Sequence, residues 1–322
     1  MKLIKKIAAV LQLIRWPNLL FIILTQVLFY FCVFYSIVDI NQKAFVFEKG
    51  SLFSLLVLSS VFIAAAGYII NDYFDVQIDT INKPSRIVVD RKLNRRWAIL
   101  FHLLFSIAGV ALSIYVSYKS GNPVIALINT GCVLLLWFYS TWFKKSLLVG
   151  NVVISLLTAW VIIAVYFFVG GRIVYYYGWQ NSIQPFDIRK LFIITLSYSS
   201  FAFILSLIRE AIKDIEDIPG DAKHGCRTMP IIWGVPGAKI YTGVWLSVVI
   251  AALGIVLFYM LQSGWRAGSV YMLVLIIVPL LSILKNLKNA RSSADYHSIS
   301  NSIKFVMLAG ILSMLFFISP VK

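Results

Sequence analysis

Acidic side chains are scarce in this chain. There are 13 of them against 29 lysines and arginines in 322 residues, and nine of the 13 fall within residues 72–90 and 210–221. Cysteine is rarer still. Cys32, Cys132 and Cys226 are far apart and show no pairing or metal-ligand spacing, which excludes a disulfide framework and a thiolate metal centre. Long polar stretches are also missing, so no large soluble domain is inserted. Apolar residues fill the space: 60% of the chain is hydrophobic and the mean hydropathy is +0.88, where soluble domains hold about 45–50%.

Apolar stretches of about 20 residues, each long enough to cross a bilayer, recur along the chain. Nine spans are expected, at roughly 18–38, 51–70, 98–118, 122–142, 147–169, 191–208, 240–262, 268–284 and 304–319. The fold class is therefore all-α: a polytopic membrane protein, with nine transmembrane helices bundled around a central cavity in a single domain over 1–322. The N-terminal segment has Lys2, Lys5 and Lys6, with Leu3, Ile7, Val10, Leu11 and Ile14 on one helical face. Gln12 and Arg15 interrupt its apolar run and no small-residue cleavage site follows. This predicts an interfacial amphipathic helix over 1–16, not a cleaved signal peptide.

Placing the N-terminus in the cytoplasm and alternating the spans puts 21 basic residues on the cytoplasmic side and 8 on the other. That asymmetry obeys the positive-inside rule. The net charge of +16 is thus mostly a matter of topology, and nucleic acid is not an expected partner. On the external side, Tyr175, Tyr176, Tyr177 and Trp179 read as an interfacial aromatic belt.

Both acidic stretches then face the cytoplasm, in the two longest loops on that side. The first reads Asn71-Asp72-Tyr73-Phe74-Asp75-Val76-Gln77-Ile78-Asp79, the second Asp214-Ile215-Glu216-Asp217-Ile218-Pro219-Gly220-Asp221. Asn71, Asp75 and Asp79 are spaced i, i+4, i+8, so a continuing helix projects all three from one face. Asp217 and Asp221 are also i, i+4, across Pro219 and Gly220. Two acidic surfaces facing each other repel unless a cation lies between them. Oxygen donors without His or Cys suit a hard cation, Mg²⁺ above all, which shares its shell with water and substrate phosphates. Lys83 and Arg86 follow the first cluster, Lys213 precedes the second, and Lys223 and Arg227 follow it. Acids for a metal with bases for phosphate oxygens make a diphosphate site. The apolar helices suit a hydrocarbon tail.

Plainer readings compete. A lone acid at a helix end is usually a cap or a solvated charge; two such pairs on one side, each backed by bases, outweigh that reading. Glu216 and Asp90 read as surface charge, Asp72 and Asp214 as supports at most, and Tyr73 and Phe74 as interfacial packing. A cation-coupled transporter is the other functional class. Transporter sites sit near the bilayer midplane on broken helices, whereas these clusters sit at helix ends. Asp75 to Asp217 and Asp79 to Asp221 both span 142 residues, which suggests an internal repeat over about 51–190 and 191–322; coincidence is the alternative, because the flanking sequences are only loosely alike.

The two motifs, NDYFDVQID and DIPGD, resemble the NDxxDxxxD and DxxxD motifs of the UbiA superfamily of intramembrane prenyltransferases. Arg15-Trp16-Pro17-Asn18 is similar to the start of that family's first helix. Tyr139-Ser140 with Lys144, Lys145, Gly150 and Asn151 is similar to its segment between the fourth and fifth helices. NDYFD…IDTINKPSR and REAIKDIEDIPGD look most like the branch that includes digeranylgeranylglyceryl phosphate synthase. Arg86-Ile87-Val88-Val89 departs from that branch's Arg-Pro-Ile-Pro, and Ser85 stands where an acid is common.

The resemblance implies Mg²⁺-dependent transfer of a polyprenyl group. Asn71, Asp75, Asp79, Asp217 and Asp221 are the expected metal site, the four aspartates being the catalytic set. Lys83, Arg86, Arg15, Asn18, Tyr139, Lys144, Lys145 and Lys213 are the expected substrate-binding residues, with Lys144, Lys145 and Arg15 offered to an acceptor phosphate. The partners implied are a prenyl diphosphate, a membrane-soluble acceptor and the bilayer. The acceptor suggested is geranylgeranylglyceryl phosphate, with an aromatic acceptor of quinone-type biosynthesis as the alternative. The location implied is a prokaryotic inner membrane.

Overall fold

The computed structural model describes residues 2–38, 50–177 and 187–318. The side chains of Lys2, Leu3, Lys5, Lys6, Arg86, Tyr175, Tyr176 and Tyr177, and the whole of Trp179, lie outside the described part. The aromatic belt expected at 175–179 is therefore outside it as well.

The described residues are helical apart from turns and one isolated bridge between Val89 and Leu93. In chain order the helices are α1 (Lys2–Leu13), α2 (Trp16–Leu28), α3 (Gly50–Asn82), α4 (Arg95–Ser120), α5 (Val124–Thr141), α6 (Val149–Tyr177), α7 (Ile188–Glu216), α8 (Ile218–Lys223), α9 (Met229–Ile232), α10 (Gly234–Gln262), α11 (Arg266–Met272), α12 (Val278–Asn289) and α13 (Ser293–Leu312). A π-helical stretch, Phe29–Phe34, extends α2, and another, Leu273–Ile277, joins α11 to α12. The second absorbs the missing N–H of Pro279, which cannot bond one turn back. Among the described residues, nine helical segments are long and apolar enough to cross a membrane, and the chain is a multi-pass membrane protein. Its apolar surface agrees: Leu127, Ile240 and Ile255 are each more than 60% exposed, in a density that a water-facing surface does not tolerate.

The chain divides into two compact units, one of Met1–Val27, Ile37–Phe143 and Trp160–Leu196, the other of Leu28–Ser36, Lys144–Ala159 and Ser197–Lys322. In the first, α3, α4 and α5 pack on one another around small and polar residues. Ser59 Oγ donates to Gly109 O at 2.9 Å and lies 2.6 Å from Ser113 Oγ. Asn129 Nδ2 donates to Ser113 at 2.8 Å, and Trp160 Nε1 donates to Asn129 Oδ1 at 2.7 Å. A Cβ on Gly109 would come within 2.7 Å of Ile63. Helices in lipid gain nothing from merely hiding apolar surface, so close approach through small residues and interhelical hydrogen bonds hold this crossing together.

Helix α1 packs Ala9 and Leu13 against Ile69, Val88, Val89 and Ala98, while Ile7 and Leu11 stay exposed. Val88 and Val89 belong to the segment that departs from the Arg-Pro-Ile-Pro pattern; here they anchor α1. In the second unit, α7 and the helices from α10 to α13 share a core that includes Leu205, Ile212, Leu246, Leu280 and Ile303. The α6 and α7 segments of this unit are joined by Asn151 Nδ2 to Asp214 Oδ2 at 2.9 Å and by Thr158 Oγ1 with Ser206 Oγ at 3.2 Å.

Candidate functional site

The first cluster is carried by one unbroken helix. α3 runs on for twelve residues past the apolar stretch ending at Ile70, so Asn71, Asp75 and Asp79 do share a face. Asp75 is buried, at 4% exposure. Asn71 Nδ2 donates to Asp75 Oδ2 at 2.6 Å, which leaves Asn71 Oδ1 turned away, buried and without a hydrogen-bond partner. An orphaned amide oxygen beside a buried carboxylate is costly unless something positive or hydrogen-bonding joins them. The donors that the pair offers are oxygens, the kind that a hard cation such as Mg²⁺ takes. Asp79 is half-buried, and its carbonyl accepts from Lys83 N at 2.9 Å, where the helix stops ahead of Pro84.

Asp72 points elsewhere. It accepts from Arg15 Nη2 at 2.6 Å, and the Arg15 guanidinium lies 5.3 Å from the centre of the Tyr68 ring. Arg15 has left-handed backbone, φ 51°, in the turn between α1 and α2, a conformation costing a non-glycine residue of order 1 kcal/mol. Burial works against its charge, but the neighbouring Asp72 carboxylate carries the guanidinium above its ordinary value. Lys92 Nζ donates to Gln12 Oε1 at 2.7 Å, tying α1 to the loop after the first cluster. Asn18 N donates to Arg15 O at 2.8 Å. Phe74 meets Trp137 edge-on at 5.9 Å and Arg95 lies over Tyr73 at 5.6 Å, so both aromatics pack.

The second cluster straddles a helix break. α7 ends at Glu216 and α8 begins at Ile218, with Pro219 in its first turn, where the missing N–H costs nothing. Asp221 N donates to Asp217 O at 3.1 Å, so the one-turn relation between the two carboxylates survives the proline. Asp221 is buried, at 5% exposure. About two turns before Asp217, Glu210 accepts from Lys213 Nζ at 2.8 Å and from Arg209 Nη1 at 3.2 Å. Asp214 holds Asn151, as described for α6 and α7. Glu216 is not surface charge: its side chain is 13% exposed and its Oε1 lies 2.9 Å from His297 Nδ1. Asp90, paired with Arg95 at 2.8 Å and well exposed, is surface charge as expected.

The remaining residues named from the sequence are more dispersed. Lys144 and Lys145 lie in a 3₁₀ turn, Phe143–Lys145, and Arg227 N donates to Lys145 O at 2.8 Å, which pins that turn to the loop after Asp221. Tyr139 lies near the end of α5, half-buried. Lys83 is half-buried, and the Arg86 side chain lies outside the described residues. Among the described residues no three His, Cys, Asp or Glu side chains converge to enclose a metal by themselves. Sequence reasoning missed the contact of His297 with Glu216. The visible signal was only that histidine occurs three times in the chain.

The family model of the UbiA prenyltransferase family matches residues 42–308. A digeranylgeranylglyceryl phosphate synthase of Methanospirillum hungatei JF-1 is 30% identical over 254 residues, covering 79% of this chain and 80% of the relative. One from Methanosphaera stadtmanae is 31% identical over 257 residues, covering 79% and 83%. Among solved structures, a UbiA homolog from Archaeoglobus fulgidus bound to DMAPP and Mg²⁺ superposes with a TM-score of 0.58 at 17% identity, over 96% of this chain and 99% of that one. At that identity the likeness concerns the fold.

Proposed function

This chain belongs to the UbiA prenyltransferase family, and on that premise we propose that it transfers a prenyl group from its diphosphate to a lipid acceptor, geranylgeranylglyceryl phosphate. The C1–O bond to diphosphate breaks and its electron pair leaves with the diphosphate. An ether bond forms between C1 and the acceptor hydroxyl oxygen, and the hydroxyl proton passes to solvent. Asn71, Asp75, Asp79, Asp217 and Asp221 hold Mg²⁺. When bound, the metal neutralises the diphosphate and makes it a better leaving group.

The chain's own side chains do the rest. Lys83 and Arg86 bind diphosphate oxygens, and Lys213, Asn18 and Tyr139 complete substrate binding. Lys144, Lys145 and Arg15 serve the acceptor phosphate. Arg15 can do so while keeping Asp72, since a guanidinium has five donors and the bond to Asp72 takes one. The apolar helices hold the hydrocarbon tail and keep water from the allylic centre as positive charge develops there. The N-terminus and both clusters face the cytoplasm of a prokaryotic inner membrane, as the distribution of lysine and arginine supports. The single-domain reading, with an internal repeat over about 51–190 and 191–322, belongs to the same proposal.

The observation that carries this reading is the Asn71–Asp75 pair: a buried carboxylate and an orphaned buried amide oxygen on the motif's shared face. The relatives' names support the choice of acceptor. Acceptor profiling tests it. With geranylgeranyl diphosphate as donor, ether product is expected with geranylgeranylglyceryl phosphate and not with hydroxylated aromatic acids. Product only with the aromatic acids would move the chain to the quinone-type reaction.

A further inference from the structure

Glu216 is the last residue of α7 and the immediate neighbour of Asp217. Its carboxylate meets His297, which belongs to α13 and lies 81 residues further along the chain. A carboxylate oxygen can only accept, so His297 Nδ1 carries the hydrogen. The segment presenting His297 is held at several points. Ser292 caps α13, its Oγ accepting from Asp295 N at 3.2 Å, and Asp295 Oδ2 accepts from the Arg291 and Ser292 N–H groups at 2.9 Å each. From α10, Lys239 Nζ donates to Ala290 O at 2.5 Å and lies over the Tyr296 ring at 5.8 Å. Tyr296 and Ile299, on either side of His297, are buried in the same core as Ile212 and Ile215 of α7.

The backbone leaves the helix at the residue after Glu216: Asp217 has φ −93° and ψ 1°. The angle of that break decides where Asp217 and Asp221 aim. Ile215 is packed in the core, and Glu216 is fixed by a partner that is itself fixed, so the last turn of α7 is set from two sides. His297 retains 42% exposure, which makes it a poor contributor to the core.

We infer that His297 is a positioning residue for the second carboxylate cluster: by holding Glu216 it fixes where α7 ends, and so the aim of Asp217 and Asp221. The inference rests on the reading that these two aspartates take part in holding the metal and diphosphate. Partners that orient ligands from behind are typically worth about 10–100-fold in metal affinity.

The test is Mn²⁺ binding by the full-length protein in detergent, with inorganic diphosphate present, followed by electron paramagnetic resonance. The Mg²⁺ dependence of turnover is measured beside it. His297→Leu is expected to weaken Mn²⁺ binding about tenfold or more, with a larger effect on the Mg²⁺ needed for half-maximal rate than on the rate at saturation. His297→Asn, whose amide places a donor near the position of Nδ1, is expected to restore most of the affinity, and Glu216→Ala, which removes the acceptor, to weaken it, whereas Glu216→Gln, which keeps an acceptor oxygen, is expected to retain most of it. Size-exclusion profiles and melting temperatures show whether each variant is folded; should His297→Leu fail to fold, Glu216→Ala and His297→Asn carry the comparison. Wild-type binding with no change in the folded variants would overturn the role of His297 alone. Wild-type protein that binds no Mn²⁺ with diphosphate would overturn the reading beneath it.

Discussion

At the scale of single residues, the first cluster divides its work between neighbours. Asp75 is buried and bound by the Asn71 amide, whereas Asp72, three positions back, turns to Arg15. Asp72 lies about 100° around the helix from Asn71 and about 60° from Asp75, enough for its longer-reaching partner Arg15 to draw it to the edge of the face that Asn71 and Asp75 share. Asp75→Ala is expected to lower prenyl transfer by a factor on the order of 10² or more while the protein still folds, which a melting curve in detergent would verify. The Arg15–Asp72 pair makes a different prediction. Arg15→Ala, Asp72→Ala and the double variant should give a coupling energy of about 1 kcal/mol in unfolding; a value near zero would mean the pair does not hold α1. Neither partnership of Arg15 nor that of Glu216 could be read in advance. The pairs are 57 and 81 residues apart, and nothing local in either segment marks its mate.

At the scale of elements, spans were legible and helix ends were not. Hydropathy marks the thickness of a bilayer, whereas a helix stops where its backbone hydrogen bonds stop. The second span was expected at 51–70, but α3 runs on to Asn82; the sixth was expected at 191–208, but α7 runs on to Glu216. In α3 the polar continuation was still readable from the i, i+4, i+8 spacing of Asn71, Asp75 and Asp79. In α7 and α8, Pro219 and Gly220 obscured a relation that the Asp221 N–H bond to Asp217 preserves. The ninth span, expected from 304, starts at Ser293 because a Ser292–Asp295 capping box starts that helix in a polar sequence.

Helix crossings give the prediction at this scale. Gly109→Leu drives a Cβ and more into Ile63, at 2.7 Å from the Cβ position alone, and is expected to cost about 1–3 kcal/mol. Gly131→Ala, where nothing lies within 4 Å of the added Cβ, is expected to leave the melting temperature unchanged or slightly raised. Equal melting temperatures for the two variants would refute close packing at the α3–α4 crossing.

At the scale of the whole molecule, composition and motif order led to the right family, because membrane solvation and paired carboxylates leave traces that do not depend on tertiary detail. The distribution of basic residues also predicts orientation. In a variant lacking the three native cysteines, Lys92→Cys should be labelled by an impermeant maleimide only from the cytoplasmic side, and Ser263→Cys only from the other. The reverse pattern would invert the topology and place both clusters outside.

The central claim is that the two carboxylate clusters act together on a magnesium-bound prenyl diphosphate. Diphosphate release by the purified protein, with Mg²⁺ and geranylgeranyl diphosphate, with and without geranylgeranylglyceryl phosphate, tests it most directly beside Asp75→Ala and Asp217→Ala. The account predicts release that requires the acceptor and that either substitution abolishes. Release that survives the loss of one cluster, or none at all from folded protein with any prenyl diphosphate, would contradict it.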